Sequence, residues 1–285
     1  MIDESTLKGG GFLKLRQKDR WAVRVRVPNG DMSVEQLAAL AALARRFGDG
    51  EIHLSVRQSL EMRGVRIEQF EEIKAALEHI GLGPGVCGPR ARNTVVCPGV
   101  LTCRRGLNNT TELADRLTER FYAREGLPHK FKTAVSGCPA SCAKPQGNDV
   151  GFMGAVEPVF DEVEGACIAC GVCAGVCPTG AITLDAQGRP VINLEKCDRD
   201  GECVSACPTG AIRASKHGWR VFLGGNFGRH PALAYEVGGV ISTEEAVEFA
   251  ERALEAFQRH AQGRERLRVV VDRMGLDAFL KEVRP

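Results

Sequence analysis

Residues 167–178 read CIACGVCAGVCP, and residues 197–208 read CDRDGECVSACP. Both stretches end in Cys-Pro and continue as Thr-Gly-Ala-Ile, so they are two copies of one pattern. The first copy holds four cysteines at short intervals, namely Cys167, Cys170, Cys173 and Cys177. The second copy keeps three of these positions and has Asp200 at the other. Such short gaps let one loop wrap three thiolates around a metal cluster, which decides the local fold.

The spacing resembles that of bacterial ferredoxins, in which the fourth cysteine of each copy ligates the other copy's [4Fe–4S] cluster. The resemblance assigns one cluster to Cys167, Cys170, Cys173 and Cys207, called here the first insert set. It assigns another cluster to Cys177, Cys197 and Cys203, with Asp200 in the remaining place, called here the second insert set. Paired cysteines also bind structural zinc, but this spacing is seldom a zinc spacing.

Asp200 leaves three interpretations open. A carboxylate is a harder ligand than a thiolate. In the first interpretation, Asp200 therefore binds iron weakly. In the second, it leaves one corner of a [3Fe–4S] cluster open. In the third interpretation, Asp200 is a solvated loop residue and the second cluster is absent.

The other cysteines are also grouped. Eleven of the twelve lie in tight groups, and only Cys87 stands alone, which favours a small, buried apolar role for it. The chain starts with a polar stretch and has no long apolar run, so we expect a cytoplasmic protein without a membrane span. In that reducing compartment, twelve cysteines indicate metal or redox chemistry rather than disulfides.

Charge divides the chain. The 285 residues carry a net charge of +2, which argues against a dedicated nucleic-acid-binding protein. Residues 1–150 have a net charge of +6, residues 151–215 of −5 and residues 216–285 of +1. An acidic, cysteine-rich middle therefore interrupts a more basic body, which indicates an inserted module, called here the insert, at 161–215.

Hydrophobic periodicity predicts an α+β body. Before the cysteines, it predicts strand, helix, strand, strand and helix at 20–27, 34–47, 51–56, 60–67 and 69–80. Farther along, it predicts a helix after Asn109, strands at 130–135, 150–156 and 219–223, and a helix from Ser242 to about His260. Ser33 with Gln36 and Ser242 with Glu245 are capping boxes that begin two of these helices.

Four further cysteines form a second pattern, called here the body set: Cys97, Cys103, Cys138 and Cys142. Their spacing fits neither ferredoxins nor the common zinc sites. Four thiolates from two loops are nevertheless enough to bind one [4Fe–4S] cluster.

Basic residues accompany the body set at Arg57-Gln58, Arg90, Arg92-Asn93 and Lys130-Phe131-Lys132. Alternation along a strand places Lys130 and Lys132 on one face, where two like charges favour an anion between them. The alternative is a solvated basic edge, which is usual for isolated Lys and Arg residues. Three such groups around one set of cysteines favour an anion site.

These motifs, in this order, resemble the sirohaem-dependent sulfite and nitrite reductases. The resemblance runs from about residue 10 to the C-terminus and is strongest to dissimilatory-type and anaerobic sulfite reductase subunits. It implies a sirohaem/[4Fe–4S] sulfite reductase half-type fold with an inserted bacterial-type ferredoxin domain. The implied boundaries are a ferredoxin-like half domain at 1–88, a sirohaem-[4Fe–4S] domain at 89–160 and 216–285, and the insert at 161–215.

The resemblance also implies a mechanism. The body set would bind a [4Fe–4S] cluster, and Cys142 would also ligate the sirohaem iron as a bridge. Arg57, Arg92, Lys130 and Lys132, called here the anion site, would bind sulfite for its six-electron reduction to sulfide. Arg63, Arg90 and Asn93 would contact the sirohaem, and the insert would supply the electrons singly. The expected cofactors are therefore one sirohaem and three iron–sulfur clusters.

Other functions stay open at this point. A nitrite reductase uses the same cofactors, but family members that act on nitrite tend to carry Asn where Lys132 stands, so Lys132 favours sulfite. A non-catalytic sirohaem or iron–sulfur electron-transfer protein is a third possibility. No nucleotide-binding glycine motif is evident, so we expect an electron-donor protein or ferredoxin as partner. Because family members with two halves divide these motifs between them, we also expect a homodimer or pairing with a related subunit.

Overall fold

A computed structural model describes residues 3–161 and 166–284. Residues 162–165, which belong to the predicted insert, lie outside the described residues. The chain divides into two compact units. The first unit comprises Met1–Val96, Ala114–Ala134 and Phe249–Pro285, and the second comprises Cys97–Leu113 and Val135–Glu248.

The strands in chain order are β1 (Phe12–Lys14), β2 (Trp21–Arg26), β3 (Ile52–Leu54), β4 (Ser59–Val65), β5 (Gly83–Pro84), β6 (Val95–Val96), β7 (Thr133–Ser136), β8 (Val150–Phe160), β9 (Ile182–Leu184), β10 (Pro190–Ile192), β11 (Ile212–Leu223) and β12 (Tyr235–Ile241). The helices are α1 (Glu4–Gly9), α2 (Val34–Phe47), α3 (Phe70–His79), α4 (Thr110–Phe121), α5 (Val172–Val176), α6 (Glu202–Ala206), α7 (Thr243–His260), α8 (Leu267–Met274) and α9 (Leu276–Val283).

The first unit contains an antiparallel sheet in the order β1-β2-β4-β3, with β5 paired to β2. Apolar residues of β2 and β4 alternate with polar ones and pack against α2 and α3, around Val23, Met62 and Ile73. On the other face of the sheet, Arg24 of β2 stands opposite Glu61 of β4 and forms a salt bridge with it at 2.7 Å. One face of the sheet therefore forms a core, and the other carries charge.

Two helices begin at the capping boxes that the sequence predicts. The Ser33 hydroxyl accepts from the Gln36 backbone N–H at 3.1 Å, and the Gln36 side chain accepts from the Ser33 N–H at 3.1 Å. Ser242 and Glu245 repeat this reciprocal pair at the start of α7. Both predicted capping boxes are confirmed, as is the predicted order of strands and helices over residues 20–80.

In the second unit, β12, β11 and β8 are neighbours in that order. The pairing of β8 with β11 runs from Val150 opposite Leu223 to Phe160 opposite Ile212. Both strands are longer than predicted, and they extend to where the predicted insert begins and ends. Between them lie the β9–β10 hairpin and two short helices, α5 and α6, with a small core around Ile182 and Ile212. No helix among residues 3–161 and 166–284 is long and apolar enough to cross a membrane.

Candidate functional site

Two basic segments lie side by side in the first unit. The Arg92 backbone N–H donates to the Phe131 carbonyl oxygen at 2.9 Å, and Ala91 stands opposite Phe131 in a parallel bridge. Ala91 and Phe131 are fully buried. Because side chains alternate along extended segments, Arg92, Lys130 and Lys132 fall on the side away from this buried pair.

The strand predicted at 130–135 is shorter than expected. Strand β7 begins at Thr133, and Phe131 makes only the isolated bridge. The Phe131 ring packs against the rings of Phe121 and Phe257, with centroids 5.9 Å and 6.3 Å away. Aromatic packing therefore fixes this segment where no continuous ladder does.

Arg57 joins both basic segments. It follows β3, and its Nη2 donates to the Asn93 carbonyl oxygen at 2.7 Å and to the Thr133 carbonyl oxygen at 3.4 Å. Asn93 follows Arg92 and Thr133 follows Lys132, so the guanidinium is held beside two other residues of the predicted anion site. The structure thus brings all three motifs together within one unit.

Gln58 fixes the turn that carries Arg57. Its backbone has a φ of 51°, in the left-handed region. Its side chain donates to the Val96 carbonyl oxygen at 2.6 Å and accepts from the Val96 N–H at 2.7 Å. This two-way bond explains why a glutamine follows the arginine.

Arg92 is held by the loop before it. Its Nη1 donates to the Val86 carbonyl oxygen at 2.9 Å, and its Nη2 to the Gly88 carbonyl oxygen at 2.8 Å. Its buried Nε has no hydrogen-bond partner within the described residues. Burial lowers the pKa of Arg92, although the nearby Cys87 opposes this. A buried donor without an acceptor suits a site that binds an anion.

Three guanidiniums line one small cavity, those of Arg24, Arg57 and Arg92. The cavity volume of about 20 Å³ has room for about one water molecule. Arg24 also donates to the Cys87 sulfur at 2.9 Å, and Cys87 is 4% exposed. The predicted burial of Cys87 is confirmed, and its sulfur is in addition a hydrogen-bond acceptor for one arginine that lines the cavity.

His129 shows how strongly positive this part of the first unit is. Burial and, to a smaller extent, the surrounding cations together lower the pKa of His129 to about 4. These cations are Arg266, Lys130, Arg264 and Arg92. Sequence reasoning missed His129, Arg264 and Arg266, since about 130 residues separate the histidine from the two arginines and only its neighbour Lys130 gave a local signal.

The three residues predicted to contact sirohaem have different surroundings. Arg90 is 6% exposed and forms a salt bridge with Glu125 at 2.6 Å. The buried Asn93 side chain donates to the Val27 carbonyl oxygen at 3.2 Å. Arg63 is half-buried on β4. Their roles towards the cofactor stay predictions.

The body set converges in the second unit. Cys97 is fixed by its N–H to the Val135 carbonyl oxygen at 3.1 Å, and its sulfur accepts from the Gly137 N–H at 3.0 Å. Burial raises the pKa of the Cys138 thiol, and the nearby Cys97, Cys103 and Cys142 raise it further. Four thiols held this close repel one another as thiolates, a cost that bound iron would offset.

Tight glycine turns make this convergence possible. Gly99 has a φ of 60°, and a Cβ there would stand 2.4 Å from the Thr110 hydroxyl oxygen. That hydroxyl donates to the Cys97 carbonyl oxygen at 2.7 Å. Any larger residue at position 99 would displace the loop that joins Cys97 to Cys103.

The first insert set also comes together. Cys167, Cys170, Cys173 and Cys207 line one pocket. Burial raises the pKa of Cys173, and Cys170 and Cys207 add to this. The fold therefore places the fourth cysteine of the second copy beside the three cysteines of the first, and their role as ligands of one cluster stays a prediction.

The second insert set has the matching arrangement. Burial raises the pKa of Cys203 to about 11, with further contributions from Cys197, Asp200 and Cys177. Asp200 is thus close to Cys203, and it also raises the pKa of Cys197. Its Oδ1 accepts from the Glu202 N–H at 3.2 Å, and its backbone pairs with Val156 of β8.

Hydrogen bonds around the fourth cysteine of each copy favour its thiolate form. Burial acts to raise the pKa of Cys177 and Cys207, but hydrogen bonds from Thr179 and Thr209 and from the backbone N–H groups that follow outweigh it. The pKa of Cys177 is therefore lowered, and that of Cys207 is lowered to about 7. The thiolate is the form that binds metal.

The described residues contain no group of three His, Cys, Asp or Glu side chains spaced to hold a single metal ion. Each thiolate of a [4Fe–4S] cluster binds a different iron, so its sulfurs stand farther apart than the ligands of one ion. The three sets offer the soft donors that such clusters require.

Comparison with known proteins gives a consistent family. The family model described as the nitrite and sulphite reductase 4Fe-4S domain matches residues 87–285. The model described as the nitrite/sulfite reductase ferredoxin-like half domain matches residues 14–80. A coenzyme F420-dependent sulfite reductase of Methanocaldococcus jannaschii is 36% identical over 278 residues, covering 96% of this chain and 44% of that protein. An anaerobic sulfite reductase subunit of Salmonella typhimurium is 34% identical over 174 residues, covering 56% of this chain and 50% of that protein.

Solved structures agree on the fold. Dissimilatory sulfite reductase I superposes with a TM-score of 0.75 at 21% identity, over 93% of this chain and 69% of that chain. The NirA protein of Mycobacterium tuberculosis superposes with a TM-score of 0.69 at 19% identity, over 100% of this chain and 48% of that chain. The chain spans about half the length of the curated relatives it matches. With family models over most of its length and a sulfite and nitrite reductase fold, the chain belongs to the nitrite and sulfite reductase family.

Proposed function

We propose that this chain reduces sulfite to sulfide at a sirohaem coupled to a [4Fe–4S] cluster, with electrons supplied through the insert. The observation that carries this proposal is the convergence of the Arg57, Arg92 and Lys130–Lys132 segments in a chain that also gathers the body set. Both halves of the required chemistry, a cationic anion site and a thiolate cluster site, are present in one sequence.

The anion site is suited to sulfite, a dianion. Its four cations, Arg57, Arg92, Lys130 and Lys132, stabilise the bound anion and the charge on its departing oxygens. The lysine ammonium groups are also proton donors. One sulfite takes six electrons and six protons and yields one sulfide and three water molecules.

The residues fit the implied cofactors. Cys142 would bridge the body-set cluster to the sirohaem iron, and the sirohaem, when bound, supplies the iron that passes electrons to the substrate sulfur. The carboxylates of sirohaem need cations, and Arg264 and Arg266, which lie near His129, add to the positive charge beside Arg92. Arg63, Arg90 and Asn93 remain proposed contacts of the same cofactor.

The insert would carry the electrons. Its two sets each gather the ligands of one cluster, and its donor would be a separate redox protein or ferredoxin. We also propose that the chain works in pairs, with a second copy or a related subunit, since one of its relatives is named as a subunit.

Nitrite reduction to ammonia is the second candidate, and a non-catalytic electron-transfer role is the third. Lys132 favours sulfite over nitrite, and the converging anion site disfavours a plain electron carrier.

Anaerobic purification tests the proposal. Full loading gives about 12 or 13 iron atoms per chain, from one haem iron and three clusters. We expect an extractable tetrapyrrole and turnover of sulfite by dye-reduced protein, with a higher kcat/KM for sulfite than for nitrite. Full cluster iron without any tetrapyrrole would overturn the proposal, whereas a preference for nitrite would favour the second candidate.

A further inference from the structure

We propose that the second insert set is the point at which electrons leave the insert, across a cavity between Asp200 and Cys138, and that the first insert set is where they enter. This inference rests on the proposed function for its direction, but the order of the three clusters follows from the second unit alone.

The cavity lies between two ligand sets. It has a volume of about 260 Å³ and is lined on one side by Arg105, Cys138 and Ala140. The other side is lined by Pro178, which follows Cys177, and by Asp200. Cys138 belongs to the body set, whereas Cys177 and Asp200 belong to the second insert set.

The first insert set has a different environment. The pocket that its four cysteines share is lined by residues between Cys167 and Ile212. Within the described residues, that lining includes no member of the body set. Ile168, beside Cys167, is 61% exposed, so this set lies near solvent. An outside donor can therefore approach the first insert set from solvent.

Both walls of the cavity are anchored on the same strand. Gly154 of β8 lies so close to Gly137 that a Cβ on Gly154 would stand 2.3 Å from the Gly137 carbonyl oxygen. Two residues along β8, Val156 pairs with Asp200, and its N–H donates to the Arg199 carbonyl oxygen at 2.9 Å. Two residues of a strand span roughly 7 Å, so Cys138 and Asp200 follow anchor points a short distance apart.

Further hydrogen bonds fix the walls. The Leu107 N–H donates to the Gly137 carbonyl oxygen at 2.8 Å, and the Asn108 side chain donates to the Gly218 carbonyl oxygen at 2.6 Å. On the other wall, Arg220 donates to the Asp198 carbonyl oxygen at 3.2 Å. Electron transfer slows steeply with distance. A gap of fixed width therefore prevents the rate of electron transfer from varying.

Among the described residues that line the cavity, Arg105 is the only cation. It lies opposite the carboxylates of Asp198, Asp200 and Glu202. A cluster gains negative charge when it is reduced, and a nearby guanidinium stabilises that form. Arg105 is therefore assigned as a positioning residue that raises the reduction potentials of the two clusters facing the cavity.

Magnetic coupling tests the order. In fully reduced holoprotein, the unpaired electrons of neighbouring clusters broaden each other's electron paramagnetic resonance signals. In a Cys173→Ser variant, which removes the first insert cluster, the body-set signal should still be broadened. In a Cys203→Ser variant, which removes the second, that broadening should be lost. The opposite pattern overturns the proposal, and iron counts confirm which cluster each variant lacks.

A second pair of variants keeps every ligand. Arg105→Gln should lower the midpoint potentials of the second-insert and body-set clusters and leave the first-insert cluster unchanged. Arg104→Gln, at the exposed neighbour that does not line the cavity, is the matched control and should change none. A shift confined to the first-insert cluster, or equal shifts in both variants, would refute the order. These signals do not depend on sulfite, so absence of sulfite turnover would reject the proposed function alone.

Discussion

The guanidinium of Arg57 bonds the backbone carbonyl oxygen of Asn93 over 2.7 Å, across 36 residues of sequence. A second, longer bond to the Thr133 carbonyl oxygen extends the same group to the Lys132 segment. One planar side chain therefore sets the spacing of three motifs that the sequence leaves far apart. Only arginine presents several donors in a fixed fork at such a position.

Replacing Arg57 by lysine tests this role. A lysine keeps the charge but lacks the planar, rigid guanidinium, so its ammonium cannot hold both carbonyl groups in the same geometry. We expect Arg57→Lys to lower kcat/KM for sulfite by about 10²-fold, a loss typical of one misplaced preorganised donor. Iron content and the absorption spectrum should match the parent protein. Parental turnover in this variant would show that charge alone suffices at position 57.

Lys132 tests the choice of substrate. Lys132→Asn should cost ~10²–10³ in sulfite turnover because it removes one cation from the anion site. The turnover of nitrite should fall less. Lys18→Asn, at an exposed turn in the same unit, is the matched control and should keep parental rates. Equal sulfite rates for the Lys132→Asn variant and this control would place Lys132 outside the site.

His129 predicts a pH dependence of stability. Its pKa is about 4 in the folded chain, against an ordinary value of 6.5. As the pH falls from about 6.5 towards 4, the unfolded chain takes up a proton that the folded chain does not, so the free energy of unfolding decreases. Above a pH of about 6.5, His129 does not make the free energy of unfolding depend on pH. Urea unfolding at pH 7.5 and pH 5.5 should show a smaller loss for His129→Gln than for the parent.

His53→Gln, at an exposed histidine on β3, is the control for that experiment and should keep the parental slope. Saturating sulfite should reduce the slope in the parent, because an anion beside the cations favours protonated His129. An identical slope in parent and His129→Gln protein would mean that the histidine does not face the cationic cluster.

Subunit mixing tests assembly. If sites form between two chains, Cys142→Ser and Lys132→Ala chains are each inactive as homodimers, but a mixed dimer holds one site with both residues intact. Random pairing should then recover about a quarter of parental activity, since half the dimers are mixed and each has one working site. If each chain builds its own site, every site keeps one defect. Mixed dimers that form and stay inactive would reject the shared arrangement.

Features that depend on local spacing can be predicted from the amino-acid sequence. Both capping boxes, the order of elements over residues 20–80 and the pairing of Cys207 with the first copy follow from short-range patterns, because turns and metal-binding loops are built by neighbouring residues. The predicted alternation, with Lys130 and Lys132 on one face, agrees with the burial of Phe131 between them.

Which distant segments meet is visible only in the folded chain. No local pattern brings Arg264 and Arg266 to His129, since more than a hundred residues and several elements separate them. The same holds for Asp200 beside Val156, where the long β8 strand offers backbone groups that a loop some 40 residues later satisfies. Pairing between distant segments depends on which faces and edges the folded elements leave open. Those faces and edges are set by the whole fold and not by any local sequence pattern.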